Sequence, residues 1–542
     1  MNTISIVSFI TATAAVAVIT YILVGRMKKS KSATEEYFTG GRALTWPMVA
    51  GSLLLTNLST EQLVGLNGDV FGDKAMVGVA WEALAAFAMI ATALVFLPTY
   101  LASGFTTTPA FLEKRFDKTT RSMVSGLFLF GYVTVLLPVV LYTGSLALIT
   151  MFGLNMPFYI VVAIIGVLGS SYAIFGGLKS VAVSDTLNGI GLLIGGLAIP
   201  FLALAALGGG SFFEGLATLG RDNPQYLAVL AQENIDGKTV TVPWPTLFTG
   251  MMFIQVFYWS TNQVIVQRAM AARSLAEGQK GVLFASGMKL LGPIMLCLPG
   301  IIALHMPDLN IGKQDQVYGA VVRHVLPDWS LGLFAAVLVG SILSSFNSAL
   351  NSASTLFSLQ FYRGYFNPSA SGEETVKIGK YFGILLAVAS ILIAPLLAQM
   401  ESIFQYLQKV NGLYSVPIIG IFLLGITTKH VPALAAKIGM IVGILFYSFF
   451  TFVNIKDVIP FFANTDGDLH WLHGYFISFL ASIGVMLIIG HLAPKTKEEI
   501  AVSEEKTPAP VDMTPWPMAK KVSVGIFGAT VAIYLVLTWA AG

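Results

Sequence analysis

The sequence predicts an all-α polytopic membrane protein of about 14 transmembrane helices, and three observations carry that class. Of 542 residues, 55% are hydrophobic and only 11% charged, with a mean hydropathy of +0.77; a soluble chain carries about 25% charged residues. Apolar windows of about 20 residues, the length of a bilayer-spanning helix, recur along the whole chain. The basic residues between those windows fall overwhelmingly on one side, as membrane insertion requires.

The windows lie near 4–24, 46–71, 76–103, 121–152, 156–177, 181–208, 246–270, 279–304, 329–362, 378–397, 402–426, 432–454, 470–492 and 520–541. The first, Ile4 to Val24, has no basic segment before it and is long enough to span, so it reads as a retained helix rather than a cleaved signal. With the first connection placed inside, alternation puts 23 of the 31 Lys and Arg residues inside, Lys28, Lys29 and Lys31 among them, and six outside. Lys289 and Lys409 fall within or at the edge of spans. Both termini are then expected outside. Two outer loops are long, 209–245 and 305–328, and a Pro-containing linker, 494–519, precedes the last window.

A formal net charge of +3 and the lack of a basic, aromatic-interleaved face give no indication of nucleic-acid binding. The single cysteine, Cys297, excludes an intramolecular disulfide and a cysteine metal cluster. It lies in an apolar run and reads as a core thiol.

Polar residues in lipid must face protein, water, an ion or a solute. The decapeptide Thr56–Gly65 interrupts the second window, and a helix broken there would release backbone carbonyls, ligands suited to a hard cation such as Na⁺. Further polar positions are Glu82; Asp185, at the start of the sixth window; Gln255 and Tyr258–Gln263; Lys289; the run Ser341–Thr355; and Gln408. Arg268, close to a span end, reads as an interfacial anchor. Glu82 and Lys289 point to function, because an intramembrane charge costs about 2.5–3.5 kcal/mol even on lenient scales. Ser341, Ser344, Ser345 and Ser348 follow i, i+3, i+4, i+7 and share one helical face. That spacing fits either an oxygen-rich cation site or a small-residue packing stripe.

Together these residues resemble the sodium:solute symporter family, in its sugar branch. The resemblance runs from Tyr37 to Gly425 and rests on Asn57–Gln62, on Tyr258-Trp-x-x-Asn-Gln-x-x-x-Gln-Arg268, on the serine helix ending in Leu350-Asn-Ser352, and on Phe422-Leu-Leu-Gly425. It implies a LeuT-type five-helix inverted repeat, 46–208 and 246–428, joined by the extracellular loop 209–245. One extra helix would precede it in 1–45 and three peripheral helices would follow in 429–542. The resemblance also implies Na⁺ as the coupling ion, held by the carbonyls of Leu55 and Leu58 with Ser341, Ser344 and Ser345. Asp185, Asn347 and Ser348 would form a second Na⁺ position or the ion's exit path. Solute contacts carried over are Gln62, Glu82, Gln255, Lys289, Gln408 and Tyr258, with Asn57 between ion and solute. Leu66, Trp81 and Phe404 would gate the outer side and Tyr258 the inner.

The expected activity is transport, not catalysis: Na⁺-coupled uptake of a neutral sugar by alternating access, across the plasma membrane (the inner membrane of a bacterium). The alternative is symport of another small organic solute, such as an amino acid, a carboxylate or a sialic acid-like molecule. The lipid bilayer, Na⁺ and the solute are the expected partners, and no oligomer is required.

Overall fold

The computed structural model describes residues 3–26, 40–105, 107–400, 402–453, 469–504, 509 and 511–541. Lys28, Lys29, Lys31 and Tyr37 lie outside the described residues. Among those described, ten helices are long and apolar enough to cross a membrane by length and composition, or eleven if a bent pair counts as one span.

The chain opens with α1 (Thr3–Gly25). The second window is two helices, α2 (Trp46–Asn57) and α3 (Thr60–Asp73). Leu58 leaves the helical region at ψ 63° and Ser59 is extended at ψ −180°. The Ser59 N–H turns to the Asn57 carbonyl at 2.8 Å, so the Leu55 carbonyl loses its usual donor four residues on. No Pro or Gly causes this break. Asn and Ser side chains compete with backbone groups for hydrogen bonds and weaken a helix where they cluster.

Next come α4 (Met76–Ser103) and α5 (Lys118–Phe152). α6 (Phe158–Leu207) is helical along its length, yet it is bent sharply. Gly169 lies against Leu343 and Phe346, and Asn188 against Gly340 one turn away. A straight helix would hold Gly169 and Asn188 about 28 Å apart. The two limbs therefore run beside the same stretch of a later helix, in keeping with two separate windows.

A second broken window follows, α7 (Gly250–Ser260) and α8 (Gln263–Met270). Asn262 caps α8 by accepting the Val264 N–H at 3.2 Å and takes a second bond from the Tyr132 hydroxyl at 2.8 Å. The third interruption comes directly after Lys289, where α9 (Leu275–Lys289) meets α10 (Gly292–Ala303) at 49°. The remaining long apolar helices are α11 (Asp328–Phe366), α12 (Gly372–Gln399), α13 (Ile403–Thr427), α14 (Ala433–Phe452), α15 (Trp471–Leu492) and α16 (Ala519–Ala540).

Backbones approach closely where the broken helices are held. Gly300 on α10 donates its N–H to Asn67 Oδ1 at 2.8 Å, while Asn67 Nδ2 reaches the Leu63 and Met295 carbonyls at 2.8 and 3.3 Å. A Cβ at Gly300 would overlap the Asn67 carbonyl oxygen. Gly300→Ala is therefore expected to destabilise the chain by about 1–3 kcal/mol through overpacking. The measurement is the unfolding midpoint of the detergent-solubilised protein.

Candidate functional site

Two polar clusters meet at the α2–α3 break. The first is built from hydroxyls and carbonyls. Ser341 Oγ donates to the Leu58 carbonyl at 3.0 Å, and Ser345 Oγ to the Thr56 carbonyl at 3.3 Å. The serine face of α11 thus lies directly against the unwound segment, as the i, i+3, i+4, i+7 spacing allows. The Leu55 carbonyl has lost its helical donor. Ser344 Oγ, also buried, lies beside the Asp185 carboxyl. Neutral oxygens form the donor set that a monovalent hard cation takes. Thr56 joins this set through its carbonyl, a contact the sequence reading did not include.

Asp185 is fully buried on the second limb of α6, deeper than its place near a window's end suggests. Ser52 Oγ donates to its Oδ2 at 2.8 Å. Ser348 turns elsewhere: the Arg268 guanidinium donates to its Oγ and to the Val264 carbonyl. Arg268 is 0% exposed, so it is not the interfacial anchor that its position predicts. It is an internal cation linking α8 to α11, and both side-chain polar atoms of neighbouring Asn347 are buried without partners.

The second cluster holds Glu82 and Lys289, two more of the buried charged residues. Lys289, at the end of α9, forms an ion pair with Glu82 on α4, and both are essentially fully buried. The same ammonium donates to Asn57 Oδ1 and lies 5.6 Å from the Trp259 ring centroid. Gln255 Nε2 donates to the Trp81 carbonyl at 2.8 Å, tying α7 to α4. Gln62 is buried with Oε1 lacking a partner. Gln408 is half-buried one turn beyond Phe404 on α13. Tyr258 is half-buried beside Asn57. Asn57 therefore touches Lys289 and Tyr258 of the second cluster, and along the chain it lies between Thr56 and Leu58 of the first.

One apolar layer closes over this cluster. Trp81 and Phe404 meet edge to face with centroids 5.2 Å apart, and Leu66 is fully buried beside Gly78. Phe404 approaches α3 so tightly that a Cβ at Gly65 would lie 2.5 Å from its own Cβ. The sequence reading missed the α7–α8 break. Its signal was Thr261-Asn262, a helix-capping pair in the middle of an apolar window. It also passed over Asn67 and Asp69, two buried polar residues on α3 just beyond the decapeptide.

The arrangement can be compared with known proteins. The sequence model of the sodium:solute symporter family matches residues 37–443. The uncharacterized symporter YidK of Escherichia coli is 40% identical over 98% of this chain and 91% of its own length. The sodium/glucose cotransporter of Vibrio parahaemolyticus is 32% identical over 81% of this chain and 83% of its own. The human sodium/myo-inositol cotransporter 2 is 28% identical over 90% and 79%. Among solved structures, a Na⁺-coupled sialic acid symporter in a substrate-bound outward-open state superposes with a TM-score of 0.75. It is 20% identical and covers 91% of this chain and 99% of its own. That likeness shows a common fold. On the family match across most of the chain, joined to helices broken where buried oxygens and charges converge, the chain belongs to the sodium:solute symporter family and is a sodium-coupled, multi-pass membrane transporter rather than an enzyme.

Proposed function

We propose that the transported solute is a neutral sugar or closely related polyol, taken up by alternating access. The observation that carries this reading is the pairing of Lys289 with Glu82. An unpaired ammonium would favour an anion; neutralised by Glu82 and bonded to Asn57, with Gln255 on the carbonyl of neighbouring Trp81, it leaves a site of balanced donors and acceptors. Hydroxyl groups, which both donate and accept, match such a site. The names of the glucose and myo-inositol relatives agree with it. Gln62, Glu82, Gln255, Lys289 and Gln408 would contact the solute, Tyr258 would close the inner side, and Leu66, Trp81 and Phe404 the outer.

Sodium would bind between the Leu55 and Leu58 carbonyls and Ser341, Ser344 and Ser345, ordering the α2–α3 break and so the adjoining solute site. Both sites would bias one conformational equilibrium, which is the thermodynamic basis of coupling. At the second position expected from Asp185, Asn347 and Ser348, Arg268 already places a positive charge on Ser348. That favours a single coupled sodium, with Asp185 on its exit route. The two broken windows, α2–α3 and α7–α8, would each open one repeat, 46–208 and 246–428. With both counted and the first limb of α6 added, the chain would have fourteen spans, an even number that would leave both termini on one side, read as the outside.

The test is uptake of labelled sugars into vesicles with and without an inward sodium gradient. Accumulation only with the gradient is the expected result; gradient-independent uptake would overturn the coupling. Competition by sugars but not by amino acids or carboxylates is expected, and the reverse pattern would move the assignment to another organic solute.

A further inference from the structure

Beyond the two clusters, one buried carboxylate accepts three hydrogen bonds from two separate segments. Asp69 lies on α3 two turns past Gln62 and is 1% exposed. Its Oδ1 accepts from Ser402 Oγ at 2.8 Å and from Gln314 Nε2 at 3.2 Å; its Oδ2 accepts from Gln405 Nε2 at 2.7 Å. Ser402 and Gln405 flank the start of α13, which carries Phe404. Gln314 belongs to the 305–328 segment and lies against α3 at Gly68 and Gly72. α3 itself carries Leu66. The carboxylate thus joins the two helices that supply Leu66 and Phe404, one turn farther out than those side chains. Apolar packing has no direction, whereas three converging hydrogen bonds fix one relative placement of α3 and α13. Burial, and then the nearby Asp69 charge, push the Asp315 carboxyl up to about 7. That rise favours its neutral form and so limits its repulsion of Asp69.

We propose that Asp69 is the latch of the outer gate: its three accepted hydrogen bonds hold α3, α13 and the 305–328 segment together in the closed state, and opening requires their rupture. This rests on the orientation and alternating-access reading above. Sodium, which would stabilise the open outer side, and the latch then pull α3 in opposite senses. Asp69 touches neither ion nor solute in this scheme; it positions the gate.

The experiment uses the full chain in right-side-out membrane vesicles, with Cys297→Ala removing the native thiol and Gln62→Cys as a reporter below the gate. The probe is a membrane-impermeant maleimide, applied in choline and in sodium medium. The parent should label slowly in choline and faster in sodium. Asp69→Ala should label about tenfold faster or more in choline, since a bond to a charged acceptor is worth roughly that factor. It should also gain little further from sodium, a loss of response that a merely structural defect would not produce. Gln405→Ala should act in the same direction, and the double variant should label no faster than Asp69→Ala alone. Parent-like labelling of Asp69→Ala in both media would overturn the latch. If Asp69→Ala does not reach the membrane, unchanged labelling of Gln405→Ala would overturn it equally. A parent insensitive to sodium would tell against the sodium-driven opening, and the choline rates would still decide the latch.

Discussion

Lys289→Met is expected to destabilise the folded chain by about 3–5 kcal/mol and to abolish solute transport. The cost follows from what is left behind. Glu82 is 1% exposed and its ion-pair partner is Lys289, so removing the ammonium strands a charge in the protein interior. Breaking a buried pair from one side is far more costly than replacing both partners together. Adding Glu82→Gln to Lys289→Met should therefore recover most of the lost stability while transport stays absent. Unfolding midpoints of the parent and the two variants in detergent check this. A Lys289→Met chain as stable as the parent would mean that the pair is not closed in the folded protein.

Ser345→Ala is expected to raise the sodium concentration for half-maximal uptake about tenfold, with the chain still inserted in the membrane. Its hydroxyl sits on the Thr56 carbonyl and that of Ser341 on the Leu58 carbonyl, so each supplies one oxygen where the helix is unwound. A bond to a charged partner is worth about 1.5–3 kcal/mol, and about 1.4 kcal/mol is a factor of ten. Ser341→Ala should act alike. Ser348→Ala provides the contrast: its hydroxyl serves Arg268, so stability should fall while the sodium dependence stays within about twofold. A tenfold sodium shift in Ser348→Ala would instead support a second ion position.

The membrane class and the first broken helix were legible because lipid makes polar residues conspicuous. Thr56–Gly65 stood out in an apolar window, and the chain unwinds at Leu58–Ser59 inside it. The serine face was legible by its period, although only the structure shows Ser341 and Ser345 on the carbonyls of another helix. What escaped were features defined by distant partners. Asp69 finds its donors on Gln314, Ser402 and Gln405, hundreds of residues away and with no shared spacing. Arg268 looked like an anchor because distance along the chain to a window's end was taken for depth. The break before α8 and its fold toward α11 bury it instead. The α7–α8 break was hidden for a related reason: Thr261 and Asn262 blended into a run of polar residues read for side-chain chemistry rather than for capping.

The contacts of Lys289 bear on the half of the cycle in which nothing is carried. A symporter must bring its empty binding site back across the membrane, and vacant charges buried in the bundle would make that return stroke costly. Here the ammonium already rests on Glu82 and Asn57, so the emptied site supplies its own stand-in for the departed cargo. An arriving solute must then outcompete these internal partners group by group. Molecules that replace only some of those hydrogen bonds would be refused, and selectivity would begin as a contest with the protein itself.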